Sequence, residues 1–262
     1  MNGRYMIPDY RHLQESAELA AEYGLCFEYN DFFLPDMLDD EEAVQERIKT
    51  YTSLGRDCSG DTLHGAFFDV TVFSYDAKIR EISLLRMRQS MEIAKKMGLR
   101  AVVFHGNYLP FLRRESYDSM WLSYTEAAIR SLAREYPGIG IYMENMFEDS
   151  PELLVTLAEH LTDVPDFGLC LDYAHALLNS GEAEPWMRAM GPYLCHMHIN
   201  DHCFDGDAHL VPGDGKTDWE EYRSLKEQYA PEVSVLFEVR GNAETGRSLE
   251  FLSNLYKNES IS

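Results

Sequence analysis

Basic side chains are scarce in this chain. Lys and Arg number 23 against 45 Asp and Glu in 262 residues, a net charge of -22 with His neutral. Binding to a polyanion draws on Lys and Arg to displace counterions, so the charge argues against a nucleic-acid partner. A small anion held in a local basic pocket is still compatible with it. Cysteine is scarce too. Cys26, Cys58, Cys170, Cys195 and Cys203 are odd in number and form no CxxC pair. That pattern argues against a disulfide framework and against a Cys-rich zinc site, and fits small core thiols in a reducing compartment. No apolar run approaches the length of a membrane span. The opening "MNGRYMIPDY" is charged and broken by Pro8, unlike a signal peptide. The expectation is a cytoplasmic protein with no membrane partner. Linkers, low-complexity tracts and shifts of composition are also lacking, which predicts one domain over residues 1–262.

What the chain does have is alternation. Hydrophobic residues make up 45% and aromatics 12%, the composition of a globular protein. Short apolar runs at 4–7, 25–31, 62–67, 99–106, 139–145, 167–175, 193–201 and 233–241 read as strands. Amphipathic stretches at helical spacing follow them, such as "DYRHLQESAELAAEYG" and "DAKIREISLLRMRQSMEIAKKMG". The strands are continuously apolar, as expected when both faces are buried. Eight such units in about 250 residues predict a (β/α)8 TIM barrel. A doubly wound open sheet is the runner-up, disfavoured because no Gly-rich turn follows the first strand.

In a barrel of this kind the active site lies at the C-terminal ends of the strands. Read in order, those ends carry His64, His105, Glu144, Asp172, His198 and Glu238, in "TLHG", "VVFHG", "IYMEN", "LCLDYAH", "CHMHIND" and "VLFEVRG". Burying a carboxylate or imidazole is costly unless it is paired, hydrogen-bonded or bound to a metal. Glu144, Asp172, His198 and Glu238 form a mixed oxygen and nitrogen shell without thiolate. Such a set suits manganese first, with magnesium, cobalt or zinc as alternatives. The stretch "HMHINDHCFDGDAHLVPGDGKTDW" adds weight, with four histidines and five aspartates in 24 residues. His196 lies two residues before His198, hence on the same strand face, and reads as a hydrogen-bonded core histidine. His202 reads as a solvated loop residue. Gly213 and Gly215 allow a tight return into a helix beginning near Asp218.

The chain resembles the xylose-isomerase-like barrel superfamily, which holds sugar isomerases and epimerases and has endonuclease IV as a relative. The resemblance spans nearly the whole sequence and rests on "MENMFE", "LDYAHA", "HMHIND", "HLVPGDGKTDW" and "FEVRG". It implies that Glu144, Asp172, His198 and Glu238 hold one divalent metal, and that the two glutamates also act as acid and base. It places His175 and His209 beside the substrate, with Asp207 carried over the mouth by the same loop. Arg240, two residues after Glu238, is a candidate for a substrate oxygen or phosphate, or for a structural ion pair.

The implied function is a metal-dependent isomerase or epimerase of a sugar or sugar phosphate, working by proton transfer next to a carbonyl through an enediolate. Two alternatives stay open. One is a phosphodiesterase like endonuclease IV. Nine positions match that enzyme's ligands: His64, His105, Glu144, Asp172, His175, His198, Asp207, His209 and Glu238. The acidity of the chain and of its loops, as in "YNDFFLPDMLDDEE", weighs against it. The other is a dehydratase acting on a sugar or inosose. The sequence leaves the substrate, the physiological metal and the oligomeric state open, a homo-oligomer included.

Overall fold

The structure, a computed structural model, describes residues 3–257. The apolar runs become β1 (Arg4–Met6), β2 (Leu25–Tyr29), β3 (Thr62–His64), β4 (Ala101–His105), β5 (Gly140–Glu144), β6 (Phe167–Asp172), β7 (Leu194–Ile199) and β8 (Ser234–Phe237). They pair in parallel in chain order, and β1 pairs with β8 as well as with β2. The barrel is therefore closed, which rules out the open doubly wound sheet.

Helices cover its outside. They are α1 (Leu13–Tyr23), α2 (Pro35–Leu38), α3 (Glu41–Thr52), α4 (Ala77–Met97), α5 (Glu115–Glu135), α6 (Glu152–His160), α7 (Tyr173–Ser180), α8 (Glu184–Met190), α9 (Trp219–Tyr229) and α10 (Asn242–Lys257). Aspartates start several of them. Asp40, Asp76, Asp172 and Asp218 each accept a backbone N–H from the first turn of α3, α4, α7 and α9. Each such cap stabilises its helix by about 1 kcal/mol.

The main core lies between strands and helices, around Phe27, Trp121, Leu154, Trp186 and Met187. Burying one large apolar side chain there contributes roughly 1.5–3 kcal/mol. The barrel interior is less apolar. Ala101, Val103, Tyr142 and Cys170 share it with Glu28, Thr62, His196 and Ser234, all buried. No cysteine is paired, and no helix among the described residues is long and apolar enough to cross a membrane.

Several strands end sooner than the apolar runs suggested. The run 167–175 stops at Asp172, because its carboxylate accepts the backbone N–H of His175 at 2.6 Å and turns the chain into α7. The runs 62–67, 193–201 and 233–241 likewise stop at His64, Ile199 and Phe237.

Candidate metal centre

These early stops put the polar residues on the rim. His64, His105, Glu144 and Asp172 are the last residues of β3 to β6, His198 is the penultimate residue of β7, and Glu238 follows β8 directly. One ligand-capable atom from each of Glu144, Asp172, His198 and Glu238 lies within 4.8 Å of the others, and all four residues are buried. His198 Nδ1 is 3.0 Å from Glu144 Oε1 and 3.7 Å from Glu238 Oε2. Neither approach has hydrogen-bond geometry. Glu144 Oε1 and Oε2, Asp172 Oδ2, His198 Nδ1 and Glu238 Oε2 are all buried with no hydrogen-bond partner.

One buried polar atom without a partner costs about 1–3 kcal/mol, and more if charged. One such atom from each of four residues, all within 4.8 Å of one another, is what a divalent cation would satisfy, and an oxygen and nitrogen donor set without thiolate suits a hard or borderline ion. Asp172 is held in place by Asn145, which donates to its carbonyl at 2.9 Å and accepts its N–H at 2.8 Å.

Two further groups adjoin the four. His64 and His105 bring their Nε2 atoms to 3.1 Å of each other, and both lie near Glu144 Oε2, at 3.5 and 3.2 Å. Burial holds His105 below its usual range, while Glu144 overcomes burial to hold His64 above it. Of the two facing imidazoles, His64 is therefore the one that favours the proton. On the other side, Asp207 Oδ2 stands 3.3 Å from His175 Nε2 and 2.9 Å from His209 Nε2. Burial would lower both imidazoles, but Asp172 and Asp207 hold His175 well up, and Asp207 with Glu238 pushes His209 to about 9. His209 sits in the left-handed region at φ 48, a strained backbone for a non-glycine residue. The two glutamates differ in acidity. Burial pushes Glu238 up to about 7, helped by Asp172 and Glu144 against His198 and His209. Burial also opposes ionisation of Glu144, but His198 and His105 outweigh it and hold that carboxyl well below the usual range.

One layer deeper is a residue that strand-end reading passed over. Glu28 in β2 is fully buried, with Oε1 3.0 Å from His198 Nε2 and Oε2 3.4 Å from His196 Nε2. Thr62 donates to it at 2.7 Å. His196 points inward as expected and bonds Ser234 Oγ through Nδ1 at 2.6 Å. Glu28 therefore faces the far nitrogen of His198 and leaves Nδ1 turned to the mouth.

The loop after β7 folds back on Asp201, which exchanges backbone hydrogen bonds with Leu210. Its carboxylate accepts N–H groups of His202, Gly213, Gly215 and Thr217 and the indole N–H of Trp219, at 2.8–3.1 Å. Gly215 is obligatory, since a Cβ there would stand 2.3 Å from Asp201 Oδ1. Asp218 caps α9, as the sequence suggested. His202 is not solvated. This fold-back buries it against Phe204 at a ring distance of 4.6 Å, which corrects the sequence reading.

A cavity of about 570 Å³ opens above the cluster, lined among others by His64, His105, His175, Asp207, His209 and Glu238. Arg240 is exposed on its rim. All ten residues singled out in the sequence thus surround one mouth.

Solved structures share this architecture. A Thermus thermophilus protein from a crystal soaked with ZnCl2 is 24% identical, with a TM-score of 0.76 over 98% of this chain and 99% of that one. A D-tagatose 3-epimerase-like protein is 21% identical, with a TM-score of 0.75 over 99% and 100%. An IolI protein with a bound zinc atom is 15% identical, with a TM-score of 0.71 over 96% and 97%. At these identities the likeness speaks for the fold alone. A family model described as the xylose isomerase-like TIM barrel matches residues 17–255. With that match laid over a closed barrel of eight parallel strands, the chain belongs to the xylose isomerase-like TIM barrel family.

Proposed function

We propose that this protein is a divalent-metal-dependent isomerase or epimerase of a sugar or sugar phosphate. The observation that carries the reading is the set of unpartnered, buried ligand atoms of Glu144, Asp172, His198 and Glu238 within 4.8 Å of one another. A divalent ion held there supplies charge that polarises a hydroxy-ketone and lowers the cost of its enediolate. Glu28 Oε1, 3.0 Å from Nε2, favours a proton on that nitrogen of His198, which leaves Nδ1 as the atom that would bind a metal at the mouth. Glu144 and Glu238 stand on strands well separated around the barrel. One takes the carbon-bound proton from one face of the substrate and the other returns it, which epimerisation requires. Glu238, pushed to about 7, exchanges a proton readily near neutral pH. His175 and His209, both held toward the cationic form beside Asp207, hold substrate oxygens or a phosphate, and Arg240 extends that positive edge. The IolI protein's zinc is consistent with the metal, and the D-tagatose 3-epimerase-like relative with the chemistry.

The test is proton exchange in deuterated water with a panel of ketoses and their phosphates. Metal-loaded protein is expected to wash deuterium into the carbon next to the carbonyl. Glu144→Gln and Glu238→Gln should each stop turnover, one of them retaining exchange on one face. Near-normal epimerisation by both variants with metal bound would overturn the two-glutamate mechanism.

A second reading, a multinuclear phosphodiesterase, is favoured by one observation. His64, His105 and Glu144 form another ligand-capable group within 4.8 Å, next to the Asp207 pair of imidazoles. The net charge of -22 opposes it. Two or three tightly held ions per chain together with cleavage of abasic DNA would establish it in place of the first.

A further inference from the structure

The cavity over the candidate metal centre does not end at the polar cluster. It is continuous with a second recess of about 760 Å³, and Phe67, Phe68, His105 and Met146 line both. The outer recess is apolar. Leu109, Phe111, Leu112 and Phe147 form its far wall, and each is a large hydrophobic side chain left exposed. Asp69, Arg113 and Arg114 also line it, but large apolar side chains make up much of the wall. Exposed apolar surface of this kind usually marks a binding site.

The recess is also built and not merely bare. Asn107, left-handed at φ 52, donates from Nδ2 to the carbonyls of Phe67 and Val70 at 3.1 and 3.0 Å. Asp69, in the same loop, is left-handed at φ 59. Strained residues of this type persist where surrounding structure holds them. Phe33 stacks on Phe67 with ring centres 5.0 Å apart, which fixes that ring between the two cavities. His105 joins the halves directly. Its Nε2 is 3.2 Å from Glu144 Oε2, while the residue also lines the apolar recess.

We infer that the substrate is two-ended: a sugar-like hydroxy-carbonyl end over Glu144, Asp172, His198 and Glu238, and a bulky apolar group, for which an aryl ring serves as the probe, in the recess beside Phe68 and Phe147. The inference rests on the isomerase or epimerase reading for its polar end. A concave recess opening onto a polar cluster is the form of a small-molecule site, with apolar walls and a few converging polar groups.

The test uses metal-chelating probes, so that it needs no knowledge of the natural sugar. A hydroxamate presents two oxygens in the planar arrangement of an enediolate. Acetohydroxamate and 3-phenylpropanohydroxamate are titrated into manganese-loaded protein by calorimetry. The phenyl probe is expected to bind at least about tenfold tighter, ~1.4 kcal/mol. Phe147→Ser and Leu112→Ser, tested separately, each remove most of that ratio and leave acetohydroxamate binding within about twofold. Both side chains are exposed, so the fold does not depend on them. A wild-type ratio under about twofold, or a ratio unchanged in both variants, overturns the inference. So does failure of both probes to bind. A wild-type dimer that becomes monomeric in Phe147→Ser also overturns it, since a second copy then covers the recess. A phenyl preference without deuterium exchange on any sugar keeps the two-ended site and drops the isomerase reading. Exchange without the preference does the reverse.

Discussion

Asp201 and Glu144 are both buried carboxylates at the same end of the barrel, and they live opposite lives. Asp201 receives five N–H donors and holds a loop shut. Those donors outweigh burial and keep its carboxyl below the usual range. Both oxygens of Glu144 lack a hydrogen-bond partner, and imidazoles crowd them instead. Burial is therefore no guide to function by itself. The supply of partners separates a carboxylate that has finished its structural task from one that still needs a cation.

Substitutions can break or sharpen that contrast. The largest effect is expected for Glu144→Gln, which keeps the shape and removes the charge. Proton exchange at saturating metal should fall by about 10³-fold, in line with loss of a general acid or base. Thermal stability at neutral pH should fall only modestly, because the imidazoles of His198 and His105 that favour the ionised carboxylate lose that charge while no hydrogen bond is broken. Loss of stability equal to that of an Asp201 variant would erase the distinction drawn between the two residues.

Asp201→Ala should act the other way. Five donors lose a charged acceptor, and partial replacement by water leaves a cost of about 3 kcal/mol, read by urea unfolding. Metal affinity should change far less than stability, since Asp201 is not among the four candidate ligands. A smaller effect is expected of Glu28→Gln, which alters only the far side of His198. Metal affinity should drop by about 10–100-fold. Nitrogen chemical shifts of the His198 ring should report a changed tautomer balance. Unchanged shifts with weakened metal binding would make Glu28 a packing residue.

The mildest effect is on pH dependence. Burial raises Glu238 to about 7, so in the metal-free protein it carries its proton below that pH and releases it above. Metal must displace that proton. Affinity should therefore weaken as pH falls from 8 to 6, by at least about tenfold, because the Glu238 proton and the proton that Cys170, Glu144 and Glu28 hold on His198 against burial both compete with the metal. Calorimetry in buffers of different ionisation enthalpy counts the protons released at neutral pH, and a count of zero would contradict the assignment of Glu238 as a ligand.

Much of this architecture was legible in the residues. Eight apolar runs foretold eight strands, and a polar residue closing an apolar run identified His64, His105, Glu144, Asp172, His198 and Glu238 as neighbours on the rim. The same rule missed Glu28, because it was applied only to run ends. A carboxylate between Phe27 and Tyr29 in mid-strand carried the same signal. His202 was misread because its environment depends on a non-local turn, the Asp201–Leu210 bridge and the clamp on Gly213, Gly215 and Trp219. The apolar recess was invisible for a similar reason. Its walls come from loops after β3, β4 and β5 that meet only in space.

The most direct measurement is the metal content of three proteins exposed to manganese and then desalted at neutral pH: wild type, Asp172→Asn and Asp201→Asn. The account predicts that wild type and Asp201→Asn retain a divalent ion and that Asp172→Asn does not. A wild type that retains none, or an Asp172→Asn variant that retains as much as wild type, would contradict the claim that the unpartnered rim atoms are a metal site.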